Sequence, residues 1–201
     1  MYLNNFRSIR HSQHGEDGII AELLRILKIK DSVDCWAVEF GAWDGKYLSN
    51  TFAKVEDGWS AVYIEGDPEK YNDLLVTAEQ YKNIVPVQAM VSRYPNNENS
   101  LEKLLSKTPL PLDFELLSID IDTYDLDVWE YMELYSAKIV VIETNSGAHV
   151  INDPTWRHTE DENGNVIKGG SSLAATLDVA KKKGYKLAAF TGNAILVRND
   201  L

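Results

Sequence analysis

The apolar positions change their period along the chain, and the changes mark its elements. Ile19, Ile20, Leu23, Leu24, Ile26 and Leu27 recur at helical spacing, which predicts an amphipathic helix entered from the polar run Ser12–Asp17. Compact apolar runs over 35–40 and 61–65 then read as buried strands. A helix over 68–80 begins at Pro68, where a missing N–H costs nothing. Residues 84–91 read as a third strand, and Pro86 marks it as an edge or as irregular at its start. A short helix over 98–107, a strand over 114–121, a helix over 125–135 and a strand over 138–143 follow. Ser171 and Ser172 are candidate caps for a helix that runs to about Lys183, with Gly184 as its stop.

Strands that alternate with helices predict a mostly parallel sheet between helical layers. The last two apolar runs, 185–190 and 194–198, break that pattern, because only Thr191-Gly192-Asn193 separates them. Three residues cannot hold a crossover helix, so this pair is expected to be antiparallel. The expected fold is therefore α/β: a class I methyltransferase (Rossmann-like) sheet, mostly parallel, with a C-terminal antiparallel hairpin and helices on both faces. A dinucleotide-binding domain would continue with another parallel crossover. No internal repeat and no linker is visible, so a single domain over 1–201 is expected. Ser146–Gly170 is a long segment without periodicity, with Asn163-Gly164 as a turn; such a loop is a functional lid or a disordered excursion.

Composition narrows the partners. A net charge of -11 argues against a nucleic-acid partner and against an anionic membrane surface. The single cysteine, Cys35, excludes an internal disulfide and a Cys-rich zinc site, and its apolar surroundings place it in the core. No run approaches the roughly 18 apolar residues that span a bilayer, and the first residues lack an apolar signal core. The expectation is a cytoplasmic protein that meets a small-molecule or glycan acceptor, with no nucleic acid and no membrane.

Candidate chemistry starts at Glu39-Phe-Gly-Ala-Trp-Asp-Gly-Lys46, where a strand ends in an acid and runs into Gly-x-x-x-Gly. Gly41 and Gly45 allow a tight turn and the close approach of a ligand to the backbone. A second acid, Glu65, closes the next strand, at the place where α/β folds bind ribose hydroxyls. The pair predicts a nucleoside cofactor site, and the glycine spacing is not that of dinucleotide binders.

Taken together, Ser12-Gln-His-Gly-Glu-Asp-Gly-Ile19, Val38–Gly45, Ser49-Asn-Thr51, Tyr63–Asp67, Leu116–Asp122, Ile142-Glu143 and Lys183–Tyr185 resemble the FkbM-type methyltransferase family over most of the chain. The resemblance implies an O-methyltransferase fold that uses S-adenosyl-L-methionine. It also implies as acceptor a hydroxyl on a sugar or small metabolite. Where the commoner family pattern is Lys-x-Asp-x-Glu-Gly, this chain has Ser118-Ile-Asp120-Ile-Asp122-Thr123. No lysine base stands at 118. That departure motivates a second expectation, a methyltransferase-fold binding module without catalysis.

On this reading Glu39, Gly41, Ala42, Asp44 and Gly45 form the loop under the cofactor, with Glu39 orienting it or accepting from the cofactor ammonium. Asn50 and Thr51 add polar contacts, Glu65 takes the ribose, and Gly66 and Asp67 lie on the adenine side. Asp120, Asp122, Glu143 and Asn145 gather at the carboxyl ends of the fourth and fifth strands. Converging carboxylates suit a hard divalent cation such as Mg²⁺, which would lower the pKa of an acceptor hydroxyl. In the alternative, Asp120 binds the cofactor or a turn and Asp122 caps the next helix. Asp120 and Glu143 are the candidate catalytic acids, and His149 in the long loop is a candidate general base or a surface residue. His14 lies in the segment before the first helix, which in this fold can cover the cofactor; the other reading is a surface or capping residue. Asp125 and Asp127 are expected to favour the start of their helix through its dipole. In the long loop, Trp156, Arg157 and His158 are expected to grip the acceptor.

Overall fold

The computed structural model describes residues 2–201. Seven strands form one sheet: β1 (Trp36–Phe40), β2 (Ser60–Glu65), β3 (Ile84–Gln88), β4 (Asp113–Ile119), β5 (Ser136–Glu143), β8 (Tyr185–Phe190) and β9 (Asn193–Arg198), in the order β3-β2-β1-β4-β5-β9-β8. A separate two-stranded ribbon, β6 (Thr159–Glu160) with β7 (Val166–Lys168), lies between β5 and β8 in sequence. The first five strands of the sheet pair in parallel. β9 runs antiparallel to both β5 and β8, as the three-residue connection requires. Pro86 is consistent with its place, because β3 is an edge strand paired only with β2.

Helices cover both faces. Side chains alternate along β1, so Ala37 packs with Ile19, Ile20, Trp59 and Leu74 on one face, and Val38 and Phe40 pack with Leu117 and Trp129 on the other. The first face is closed by α1 (Glu16–Leu27), α2 (Phe52–Glu56) and α3 (Pro68–Gln80); the second by α4 (Leu101–Leu105), α5 (Asp125–Glu130) and α6 (Leu173–Lys182). α1 follows its apolar spacing and ends at Lys28, which takes a left-handed conformation at φ 58°. α6 starts at Ser172, whose hydroxyl accepts from Ala175 N, and Gly184 at φ 79° follows its end.

Several boundaries differ from expectation. β4 stops at Ile119, because Asp122 sits at φ 61° and the chain leaves the sheet there. The helix expected over 125–135 ends at Glu130, where Met132 N already bonds Trp129 O in a turn. The 146–170 segment is not structureless. It holds the β6–β7 ribbon and is fastened by Ser172 N to Trp156 O and by Ala174 N to Ile151 O.

Candidate functional site

The carboxyl ends of β1, β2, β3 and β4 surround a cleft of about 280 Å³. Gly41, Glu65, Gly66 and Asp120 line it, as do Met90 and Tyr124. Gly41 is held at φ 77°, and a Cβ there would lie 1.7 Å from the Asp120 carbonyl oxygen, so the first loop can touch the fourth only through a glycine. A Cβ on Gly66 would lie 3.0 Å from the Met90 Cε, which makes the cleft narrow and apolar on that side.

Glu65 ends β2 with its carboxylate inside the cleft wall. One oxygen accepts from Trp43 N at 2.8 Å and the other from Asp67 N at 2.8 Å, so the acid joins the glycine loop to the start of α3. Each oxygen keeps a second lone pair for a ligand hydroxyl. Lys70 also lines the cleft, and its ammonium lies 4.7 Å from the Trp43 ring centroid.

Other residues expected at the cofactor are committed elsewhere. Glu39 is buried and accepts from Ser49 Oγ and Thr51 Oγ1, each at 2.5 Å, and from Asn50 N at 3.1 Å. Its carboxylate therefore shapes the 49–51 segment from inside the fold. Burial raises its pKa, against the lowering effect of those donors. Asn50 Nδ2 donates to Ser118 Oγ, and Thr51 Oγ1 also bonds the Tyr63 hydroxyl, so both belong to the same interior network. Ala42 is buried, with its N–H on Ile64 O, and a Cβ on Gly45 would meet the Tyr63 and Leu74 side chains. Asp44 accepts from Lys46 N and Tyr47 N, and Asp67 accepts from Glu69 N and Lys70 N as the cap of α3. Both acids close turns outside the cleft.

Ser118 is fully buried in β4, in register with Glu39. A side chain at this position answers to the buried Glu39 network.

At the ends of β4 and β5, Asp120, Asp122 and Glu143 converge, with one oxygen of each within 4.8 Å of the others. Burial, then Glu143, Asp125 and Asp122, push Asp120 up to about 8. Burial, then Asp125 and Asp122, push Glu143 up to about 7. Asp125 accepts from Ile121 N and Thr123 N, which fixes the turn that carries Asp120 and Asp122; burial raises it to about 6 despite those bonds. The strand does not continue through Asp122, so the left-handed turn, and not strand alternation, brings the acids together. Asp120 and Asp122 also line the 280 Å³ cleft, whereas Asp122 and Glu143 line a second, polar cavity of about 320 Å³ with Thr144, Asn145 and Gly170. The acids form the partition between the two.

Asn145 is spoken for. Its Oδ1 accepts from Gly147 N, its Nδ2 donates to Gly169 O, and its own N–H bonds Ser171 O. It ties the two ends of the 146–170 loop and lines the polar cavity beside Glu143 and Asp122. His149 is exposed, stands edge-on to Trp156 at 6.0 Å and lines neither cavity. Arg157 pairs with Asp127 at 2.6 Å and with Glu130 at 2.7 Å. His158 is buried against Tyr124 and bonded to Glu160. These two side chains anchor the loop and are not free to grip an acceptor. Asp127 likewise serves Arg93 and Arg157 and is no simple helix-dipole acid.

Sequence reasoning missed Lys70, Met90 and Tyr124 in the cleft. Met90 had a usable signal, because it follows β3 at the same sheet edge that marked Glu65 and Asp120.

No family model matches the chain, and no curated protein matches it. Solved structures do. The N-terminal domain of EvdMO1, determined in the presence of SAH and D-fucose, aligns over 89% of this chain and 82% of its own, at 11% identity and a TM-score of 0.51. The CurJ carbon methyltransferase aligns over 90% of this chain and 52% of its own, at 10% identity and a TM-score of 0.55. The CMeT domain of the citrinin polyketide synthase aligns over 94% and 54%, at 8% identity and a TM-score of 0.55. This chain thus spans about half the length of the last two. With the strand order and the antiparallel β9, these likenesses show that the chain has the class I methyltransferase fold.

Proposed function

We propose that the chain is an S-adenosyl-L-methionine-dependent methyltransferase that methylates a hydroxyl of a sugar or other small metabolite. One observation carries the reading: a carboxylate partition separates a half-apolar cleft with a strand-end acid from a wholly different, polar cavity. The cleft suits an adenosyl group. Glu65 has lone pairs for ribose hydroxyls, and Met90 and Tyr124 offer apolar walls to a base. The cofactor supplies an electrophilic methyl group.

The chain's own residues then have separate tasks. Gly41 brings the first loop against Asp120, and Glu65 fixes the loop's height through Trp43 N. Asp125 holds the turn on which Asp120 and Asp122 stand. Asp120 and Glu143 have proton affinities near neutrality, so either carboxylate is matched to take the proton of an acceptor hydroxyl. The resemblance to FkbM-type methyltransferases and the fold of the EvdMO1 domain, determined with D-fucose, support a sugar hydroxyl as acceptor.

The three acids also fit a divalent cation such as Mg²⁺. They offer hard oxygens within reach of one another, and burial, then the neighbouring acids, raises the pKa values of Asp120 and Glu143, a cost that a cation relieves. Asp120, Asp122 and Glu143 would hold it, and it would supply Lewis-acid activation of the acceptor oxygen. Ser118 serves the Glu39 network inside the fold, so the missing lysine at that position is no argument for an inert binding module. Titration calorimetry with S-adenosyl-L-methionine and S-adenosylhomocysteine tests the cofactor. Radiolabelled methyl transfer to a panel of glycosides, with and without chelator, tests the rest. Binding without transfer to any hydroxyl would favour the binding module.

A further inference from the structure

Among the described residues that line the 280 Å³ cleft, Lys70 is the only cation, set against the carboxylates of Glu65, Asp120 and Asp122. Its ammonium pairs with none of them, and among the described residues it makes no hydrogen bond. An exposed lysine is ordinarily a hydrated charge on a flexible stem. This one is held at both ends.

The backbone end is fixed through Asp67. That side chain caps α3 by accepting from Glu69 N and Lys70 N, and the Asp67 N–H donates to Glu65 Oε1 at 2.8 Å. The ammonium end is placed by Trp43, whose ring centroid lies 4.7 Å away, a cation–π distance. Trp43 is itself fixed. It takes a left-handed conformation at φ 45°, strained for a bulky residue, and its N–H donates to Glu65 Oε2 at 2.8 Å. Glu65 is therefore the common anchor. One of its oxygens sets the helical turn that carries Lys70, and the other sets the residue whose ring holds the ammonium.

A ribose hydroxyl has a proton to give and lone pairs to be met. The Glu65 oxygens, each already accepting from a backbone N–H, can take hydroxyl protons but leave the hydroxyl oxygens unmet. An ammonium has three N–H donors and no acceptor, so it complements the carboxylate. We propose that Lys70 is a second ribose ligand: its ammonium donates to a hydroxyl oxygen of the adenosyl group while Glu65 accepts the hydroxyl protons. The inference rests on the methyltransferase reading and adds to it a residue that recognises the sugar of the cofactor from the opposite polarity.

The test is calorimetry on the full chain and on Lys70→Met, with S-adenosylhomocysteine and its 2′-deoxy and 3′-deoxy forms. Methionine keeps an unbranched stem against Trp43 and removes the charge and the donors; the side chain is exposed, so the change leaves the core untouched. S-adenosylhomocysteine should bind Lys70→Met about tenfold more weakly, the equivalent of one lost hydrogen bond to a charged group. With at least one of the deoxy forms the loss should be smaller, because the oxygen that Lys70 meets is gone. Unchanged affinity for S-adenosylhomocysteine in Lys70→Met overturns the proposal. So does an equal loss with all three compounds, which would place the effect of Lys70 on the base or on the packing of Trp43. Failure of the unaltered chain to bind S-adenosylhomocysteine overturns the methyltransferase reading and this inference together.

Discussion

Asp120 and Glu143 stand at the ends of neighbouring parallel strands, and burial, then the charge on Glu143, pushes the pKa of Asp120 up to about 8. Both groups have pKa values above those of an unfolded chain, so the folded state binds more protons than the unfolded state between about pH 4 and pH 8. Stability therefore falls as pH rises through that window. Thermal unfolding should show Tm dropping from pH 5 to pH 8, and Asp120→Asn should flatten the drop. Millimolar Mg²⁺ or Ca²⁺ should raise Tm more at pH 8 than at pH 5. A pH-independent Tm in the unaltered chain would contradict the electrostatic account.

Replacing Glu65 by Ala removes lone pairs from the cleft and releases the N–H groups of Trp43 and Asp67. Affinity for S-adenosylhomocysteine should fall by about 1–3 kcal/mol, the range for bonds to a charged group. Calorimetry reads this directly, and equal affinity in the variant would detach Glu65 from the ribose.

Gly41→Ala places a methyl group on the Asp120 carbonyl and strains a left-handed residue. The expected destabilisation is about 3 kcal/mol or more. Denaturant unfolding measures it, and a midpoint within error of the unaltered chain would mean that the two loops do not meet as described.

Arg157 fastens the 146–170 loop to α5 through Asp127 and Glu130. Arg157→Ala should leave S-adenosylhomocysteine affinity intact while limited proteolysis at the β6–β7 ribbon speeds up. Cleavage at the original rate would show that the ribbon is held by other contacts.

The sequence revealed elements with a strong period or a forced connection, and lost those that depend on partners far along the chain. The antiparallel β8–β9 pair was legible because three residues admit no other geometry. α2 was missed: five residues carry too little period, and Phe52 and Val55 become helical by packing under Trp59. The end of β4 was misread because nothing local announces that Asp122 turns left-handed. At the site, Glu65 and Asp120, expected from their place at strand ends, both line the cleft. The roles of Glu39 and Arg157 were not, because their partners depend on how elements distant in sequence are brought together.

The position of β9 has a consequence for how the molecule assembles. Asn193–Arg198 is an interior strand, hydrogen-bonded on both sides, although it follows the other six strands of the sheet in chain order. Until it arrives, β5 offers a bare apolar rim, Ile139-Val-Val-Ile142, on which any extended chain can pair. Assembly of the sheet therefore passes through a sticky interval that closes only when the six residues of β9 dock, and amides of β9 should be among the slowest to exchange once it has closed.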